Sequence, residues 1–359
     1  LTCINAARAR RDFGHRLRYA EPMRTLPGRA AYALATTLLA LGAAAAGAGA
    51  LQEARPLMGT IVEITAEGGE ANALHRAANA AFAEMSRLSD MMNRYNPASA
   101  ITAVNDGAGV RAVAVPPELM EVLAMAQRMS ARTEGAFDVT IGSLRGWRFR
   151  PGEERVPAPA EIAAELRLVG WRKLVLDPAA GTAFLREPGM RIDLGGIAKL
   201  YILDAGWRTL ARHGVRRALL NGGGGDVRAG GPPDGPLWRI GIRDPRAPDR
   251  LLGVVALASG FVASSGDYER AFVRDGRRYH HIIDPRSGLP SDGPRGVTVI
   301  AEEIEAANGL SIAVMVLGKA AGIRLVAATP GADALIVDRD GSIWMSDGFR
   351  ARLSPAAAR

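Results

Sequence analysis

The residues of this 359-residue chain best suited to chemistry are two glycine turns and the charged groups beside them. Gly195 and Gly196 precede Lys199, one of very few lysines, and Gly222, Gly223, Gly224 and Gly225 precede Asp226. A glycine run lets backbone approach a ligand with no Cβ in the way, and a helix N-terminus offers free N–H groups. With the Lys199 ammonium to balance charge, the pair suits a phosphate or pyrophosphate, tight-turn packing and a solvated lysine being the alternatives. Neither cluster matches Gly-x-Gly-x-x-Gly or the Gly-Lys-Ser/Thr phosphate loop. Further along, His280 and His281 are adjacent, and imidazole titrates near neutral pH. Period-2 geometry puts Tyr279, His281 and Ile283 on one strand face and His280 on the other, so both histidines cannot serve one site. Asp138 stands in a Gly-rich turn, where capping its own loop is the commoner role, and Tyr95 in a polar Asn-Pro loop.

The elements around these residues follow from periodicity. Ile197, Tyr201, Ala205 and Leu210 recur at helical spacing between Gly196 and Gly214, a residue suited to a left-handed C-cap. An alanine-rich helix is predicted over residues 71–92, and a second from Pro116-Pro117 to before Gly135. Residues 174–176 and 182–185 read as paired strands, residues 238–243 as a half-buried strand, and 261–264 as another. Asp275-Gly276 marks a hairpin joining strands at 268–274 and 277–283. After a strand at 297–301, one helix over 305–317 places Glu305, Asn308 and Ile312 along one side. Hairpins mixed with helices, without regular strand–helix alternation, predict an α+β class.

The chain is 48% hydrophobic and 23% charged, an ordinary globular composition. Its net charge of +8 includes +5 before residue 30, from seven arginines against Asp12 and Glu21, leaving +3 for the remainder. That scattered remainder, with aromatics at 5%, carries no nucleic-acid footprint. Residues 1–50 read as a leader. An uncharged run over residues 30–50 follows Arg24 and Arg29 and closes on Ala48-Gly49-Ala50, the layout of a secretory signal starting at Met23. An uncleaved membrane anchor is the alternative, and Arg10-Arg11 is a weak twin-arginine match. The expected location is the periplasm, either free or anchored to the inner membrane facing it. Cys3, the sole cysteine, falls in this leader, so thiolate ligands and disulfides are excluded from residues 51–359.

In order, Met58-Gly59-Thr60, Tyr95-Asn96-Pro97-Ala98-Ser99, Gly135-Ala136-Phe137-Asp138 and Asp193-Leu194-Gly195-Gly196-Ile197-Ala198-Lys199 resemble the ApbE-type FAD:protein FMN transferases. So do Asn221 through Asp226, Ser264-Ser265-Gly266-Asp267-Tyr268 and Tyr279 through Arg286. The resemblance covers residues 51–359 as one flavin-transferase-like domain and implies a two-lobed fold of antiparallel sheets and packed helices, with FAD in a cleft between lobes. It implies cleavage of FAD with Mg²⁺ and transfer of FMN through a phosphoester to a threonine of a partner protein, one belonging to an exported or membrane redox system. Met58, Tyr95, Asp138, Gly195, Gly196, Lys199, Gly222, Gly223, Asp226 and His281 would then line the FAD site. His281, Asp267 and Lys199 are the implied catalytic residues, and the Ala198 carbonyl and Asn308 the implied metal ligands, with Glu305 as a further candidate. Two departures bear on activity: Asn308 and Ile312 stand where the family has Asp and Thr, which weakens a site for a cation that prefers carboxylates. Leu200 replaces a usual glycine. The alternatives are therefore an FAD-binding chaperone or assembly factor without transfer, and an FAD pyrophosphatase.

Overall fold

The structure, a computed structural model, describes residues 49–356. The leader reading, with Cys3 and Met23, lies outside the described residues. Strands β1 (Ala50–Leu57) and β2 (Thr60–Glu67) form a hairpin whose turn residues, Met58 and Gly59, have φ of 54° and 70°. Two left-handed residues are what a two-residue turn needs to follow the strands' twist. Helix α1 (Ala71–Met92) is capped by Glu70, which accepts from the amides of Asn72 and Ala73, and buries Leu74, Ala78, Phe82, Met85 and Leu88 along one stripe. Next come α2 (Ala100–Asp106), β3 (Val113–Ala114), α3 (Pro117–Arg132), α4 (Pro159–Leu166), β4 (Leu174–Asp177) and β5 (Thr182–Leu185). Helix α5 (Ala198–Arg212) leads to β6 (Arg217–Asn221), β7 (Asp226–Gly230), β8 (Trp238–Asp244), β9 (Ala247–Leu257) and β10 (Gly260–Gly266). Then follow β11 (Ala271–Arg274), β12 (Arg277–His280), β13 (Gly296–Ala301), α6 (Ile304–Ala307), α7 (Leu310–Leu317) and α8 (Lys319–Ala327). The chain closes with β14 (Ala332–Val337), β15 (Ile343–Met345), α9 (Asp347–Arg352) and β16 (Leu353–Ser354).

Among the described residues, one antiparallel sheet runs in the order β1-β2-β6-β7-β10-β13-β14-β15. Its strands alternate between two cores. Phe261, Ala263, Val297, Val299, Ala334 and Ile336 point into a large core with the buried stripes of α1, α3, α5 and α7. Val262, Ile300, Leu335 and Val337 point the other way, onto Trp238, Ile240, Ile242, Val255 and Leu257 of the β16-β9-β8 sheet. Every residue of β13 is buried, because both faces of the central strands are covered. The expected α+β fold of antiparallel sheets and packed helices is observed, and the two cores are its two lobes. No helix among the described residues is long and apolar enough to cross a membrane.

Three expectations change. Strand β1 was not foreseen: it follows an alanine-rich run directly, contains Pro56 and lies at the sheet edge, where proline is tolerated. The β11–β12 hairpin is shorter than 268–283, so the period-2 argument stops at His280 and His281 lies past the strand end. The helix over 305–317 is broken. Asn308 is extended (φ −74°, ψ 122°) and Gly309 left-handed (φ 81°), so Glu305 and Asn308 do not share a continuous helical face with Ile312.

Candidate active site

Lys199, three residues past the Gly195-Gly196 turn, meets the second glycine loop. Gly222 to Gly225 connect β6 to β7, and Gly223 and Gly224 sit at φ of 93° and 91°. Asn221 Oδ1 accepts from the Gly224 amide at 2.8 Å, and the Gly222 amide donates to the Asp226 carbonyl, so the loop is held by its own ends. The β1–β2 turn closes over it: a Cβ at Gly223 would lie 2.1 Å from Thr60 Oγ1, which explains why Met58-Gly59-Thr60 and the glycine run belong together. A Cβ at Gly222 would press on the Lys199 stem at 3.0 Å. Lys199, in the first turn of α5, places Nζ 3.1 Å from Asp226 Oδ2. Leu200 points into the core and not at this site.

His281 completes the group. Its Nδ1 lies 2.9 Å from the Glu269 carbonyl; a carbonyl only accepts, so Nδ1 carries the proton and Nε2 keeps its lone pair. Burial, reinforced by the Arg270, His280 and Lys199 charges, pushes the imidazole down to about 3, against the partial support of the Glu269 carbonyl. Arg243 bridges Glu269 at 3.2 Å and reaches toward Gly224, joining the histidine's support to the glycine loop. Lys199, Arg270 and Arg243 therefore give the site a cationic wall, and these two arginines carry no sequence motif that would have flagged them.

At the other glycine turn, Asp193 Oδ1 accepts from the Gly195 amide at 2.8 Å while Oδ2 pairs with Arg94 Nε at 3.1 Å. Arg94 stacks over Tyr95 at 4.5 Å, and the Tyr95 ring is 78% exposed, a bare aromatic platform beside the turn. Asp138 is buried: Oδ1 accepts from the Thr140 amide and hydroxyl and Oδ2 from the Trp171 amide. Burial raises its pKa despite these bonds. Its contacts are those of a loop cap, so Asp138→Asn is expected to cost about 1–3 kcal/mol in urea unfolding, since an amide leaves one buried N–H facing another. Asp267 has contacts that lead to other groups than His281. It is buried, 3.8 Å from Arg278, and its charge acts on His280, whose own pKa is lowered chiefly by burial.

The implied metal site does not fit its residues. Asn308 is buried, but its Nδ2 donates to the Ile197 carbonyl at 2.8 Å and lies 3.2 Å from Met125 Sδ. Ile312 offers no donor and packs against Gly196, where a Cβ would lie 2.7 Å from its Cδ1. Glu305 is committed elsewhere: both its oxygens pair with Arg128 at the surface, at 2.6 and 3.0 Å. No cluster of three or more His, Cys, Asp or Glu residues among those described could hold a metal. An amide and a main-chain carbonyl without a carboxylate are a poor set for Mg²⁺.

Glycine-lined backbone, a lysine, arginines and a neutral imidazole thus belong to a two-lobed α+β protein, at the ends of interior strands of its antiparallel sheet. The chain belongs to the ApbE family, whose model matches residues 58–336. It is 33% identical over 281 residues to an FAD:protein FMN transferase of Klebsiella pneumoniae (strain 342), covering 77% of this chain and 87% of that protein. A Treponema pallidum (strain Nichols) protein of the same name is 31% identical over 303 residues, covering 80% and 83%. Among solved structures, the ApbE protein of Thermotoga maritima superposes with a TM-score of 0.78 at 34% identity, over 85% of this chain and 99% of that one. The flavin transferase ApbE from Vibrio cholerae gives 0.73 at 28%, over 86% and 100%.

Proposed function

We propose that this chain is an FAD:protein FMN transferase that attaches FMN to a threonine of an acceptor protein in the periplasm. The observation that carries the reading is the convergence of the Gly222–Gly225 loop, Lys199 and His281 in a member of this family. In the proposed reaction the threonine hydroxyl attacks the FMN-side phosphorus of FAD. A bond from threonine oxygen to phosphorus forms as the bond to AMP breaks, and AMP leaves with the bridging oxygen. Lys199 and Arg270 hold the phosphoryl oxygens and stabilise their growing charge, and the side-chain-free glycine loop lets the phosphates come close. His281 Nε2 accepts the hydroxyl proton. In the free protein its basicity is low, but anionic phosphates placed among Lys199, Arg270 and the ring offset the cations that depress it, so ligand binding itself prepares the base. Tyr95 and Met58 would meet the isoalloxazine ring. Mg²⁺ is assigned no step, because the chain presents no carboxylate at Asn308 or Ile312. The periplasmic placement is supported by the leader pattern of residues 24–50 and by the confinement of cysteine to Cys3.

A second reading, favoured by Asn308 and Ile312, is an FAD-binding protein without transfer. Incubation with FAD, divalent cation and a threonine-bearing acceptor, followed by a denaturing gel, separates the two. Flavin fluorescence on the acceptor with release of AMP is expected; tight FAD binding with neither product would establish the second reading.

A further inference from the structure

The β11–β12 hairpin carries one of the dense arginine clusters of the chain. From Arg270 to His280 it holds Arg270, Arg274, Arg277 and Arg278 against Asp275, a net +3. All four arginines are exposed, as is Val273 at 65%. Elsewhere guanidinium groups commonly sit on carboxylates, as Arg128 does on Glu305 and Arg228 on Asp204. On the hairpin, Arg270 and Arg277 pair with no carboxylate among the described residues, Arg274 reaches only the Glu154 carbonyl at 3.5 Å, and Arg278 stands 3.8 Å from Asp267. Arg274 and Arg277 lie directly opposite each other across the two strands. Like charges in that register destabilise a strand pair.

The ribbon is nonetheless firmly built. Phe272 stacks on Tyr279 at 5.4 Å, Phe149 lies 5.9 Å from Phe272, and Trp147 packs 5.7 Å from both Phe149 and Tyr279 while donating to the Gly288 carbonyl. Asp275 and Gly276 take φ of 52° and 72° in the tip turn. A stiff ribbon that displays repelling charges is a local conflict of the kind expected where an outside partner supplies the missing charge. Its base adjoins His281, whose ring is held by the Glu269 carbonyl just before the ribbon, so the arginines flank the residue that the threonine hydroxyl would meet.

We propose that the β11–β12 hairpin is the docking surface for the acceptor, and that it recognises acidic residues flanking the modified threonine. This rests on the transferase reading. The test uses three peptides with one threonine in the same neutral core, flanked by glutamates, serines or lysines. The protein should bind the glutamate-flanked peptide about tenfold more tightly than the lysine-flanked one by fluorescence anisotropy, a preference that shrinks near about 0.5 M salt. The double variant Arg274→Glu/Arg277→Glu should abolish or invert it, with circular dichroism and FAD affinity unchanged. Equal binding of the three peptides, or a preference that survives in the double variant, overturns the proposal. So does binding to phosphatidylglycerol vesicles through these arginines with no discrimination among peptides. A glutamate preference with no flavin on any peptide strikes the transferase reading and leaves the docking surface standing; labelling indifferent to the flanks does the reverse.

Discussion

Asn308→Asp is expected to lower the stability of the fold and to make it respond to a divalent cation. The Asn308 amide donates to the Ile197 carbonyl at 2.8 Å in a buried setting. An aspartate there sets oxygen against oxygen, costing about 1–3 kcal/mol and lowering the melting temperature by about 2–6 °C in chelator. Mg²⁺ should recover that loss by binding between the new carboxylate and nearby main-chain oxygen, since a ligand held only by the folded state raises its stability. Adding Ile312→Thr supplies a further oxygen, and should raise Mg²⁺ affinity and the Mg²⁺-dependent transfer rate by about tenfold or more. Scanning calorimetry with and without Mg²⁺ measures the first effect and gel fluorescence the second. A melting temperature that ignores Mg²⁺ in both variants would remove the account of Asn308 and Ile312 as the reason the site suits the cation poorly.

His281→Ala is expected to lower flavin transfer by about two to four orders of magnitude, with FAD affinity changing far less. His281→Gln restores a donor to the Glu269 carbonyl but no base, so it should recover stability without recovering rate. The pH dependence has a definite sign. Since the folded ring titrates near 3 and an unfolded histidine near 6.5, the unfolded chain binds the extra proton between those values. Stability from this group is fully present above the unfolded value and is lost as pH falls toward the folded one. In the free protein the ring signal in an NMR titration should stay neutral through roughly pH 5 to 8. Saturation with FAD should move its midpoint upward. A free-protein midpoint near the ordinary histidine value would contradict the buried, cation-flanked environment.

Much of the architecture was legible because periodicity and end signals agree. The stripe from Leu74 to Met92, the proline start of α3, the Asp275-Gly276 turn and the strand at residues 238–243 are local features, and they appear where local rules put them. The pairing of the second glycine turn with Lys199 was half legible: the residues stood out, while the ion pair to Asp226 needed the fold. What failed was non-local. Asn308-Gly309 reads as helix because its neighbours are helix formers, yet the backbone turns there to bury the amide against Ile197. Glu305 looked like a ligand from spacing alone, and only folding reveals Arg128, far away in sequence, on both its oxygens. Arg243 and Arg270 were invisible for a like reason: their importance comes from what the sheet brings beside them. Asp138 shows the opposite case, in which the plainer role of a loop cap was already readable.

The double use of the central strands limits how the molecule can move. Strand β10 sends Phe261 and Ala263 into one core and Val262 into the other, then runs straight into Ser264, Ser265 and Asp267. A breathing motion of either lobe would shear a strand that the other lobe holds packed, so hinge opening through the sheet is blocked. Ligand entry and product exit would then fall to parts outside both cores: the Tyr95 loop and the arginine ribbon. The sheet is the fixed anvil of the molecule, and turnover would be timed by the loops at its rim.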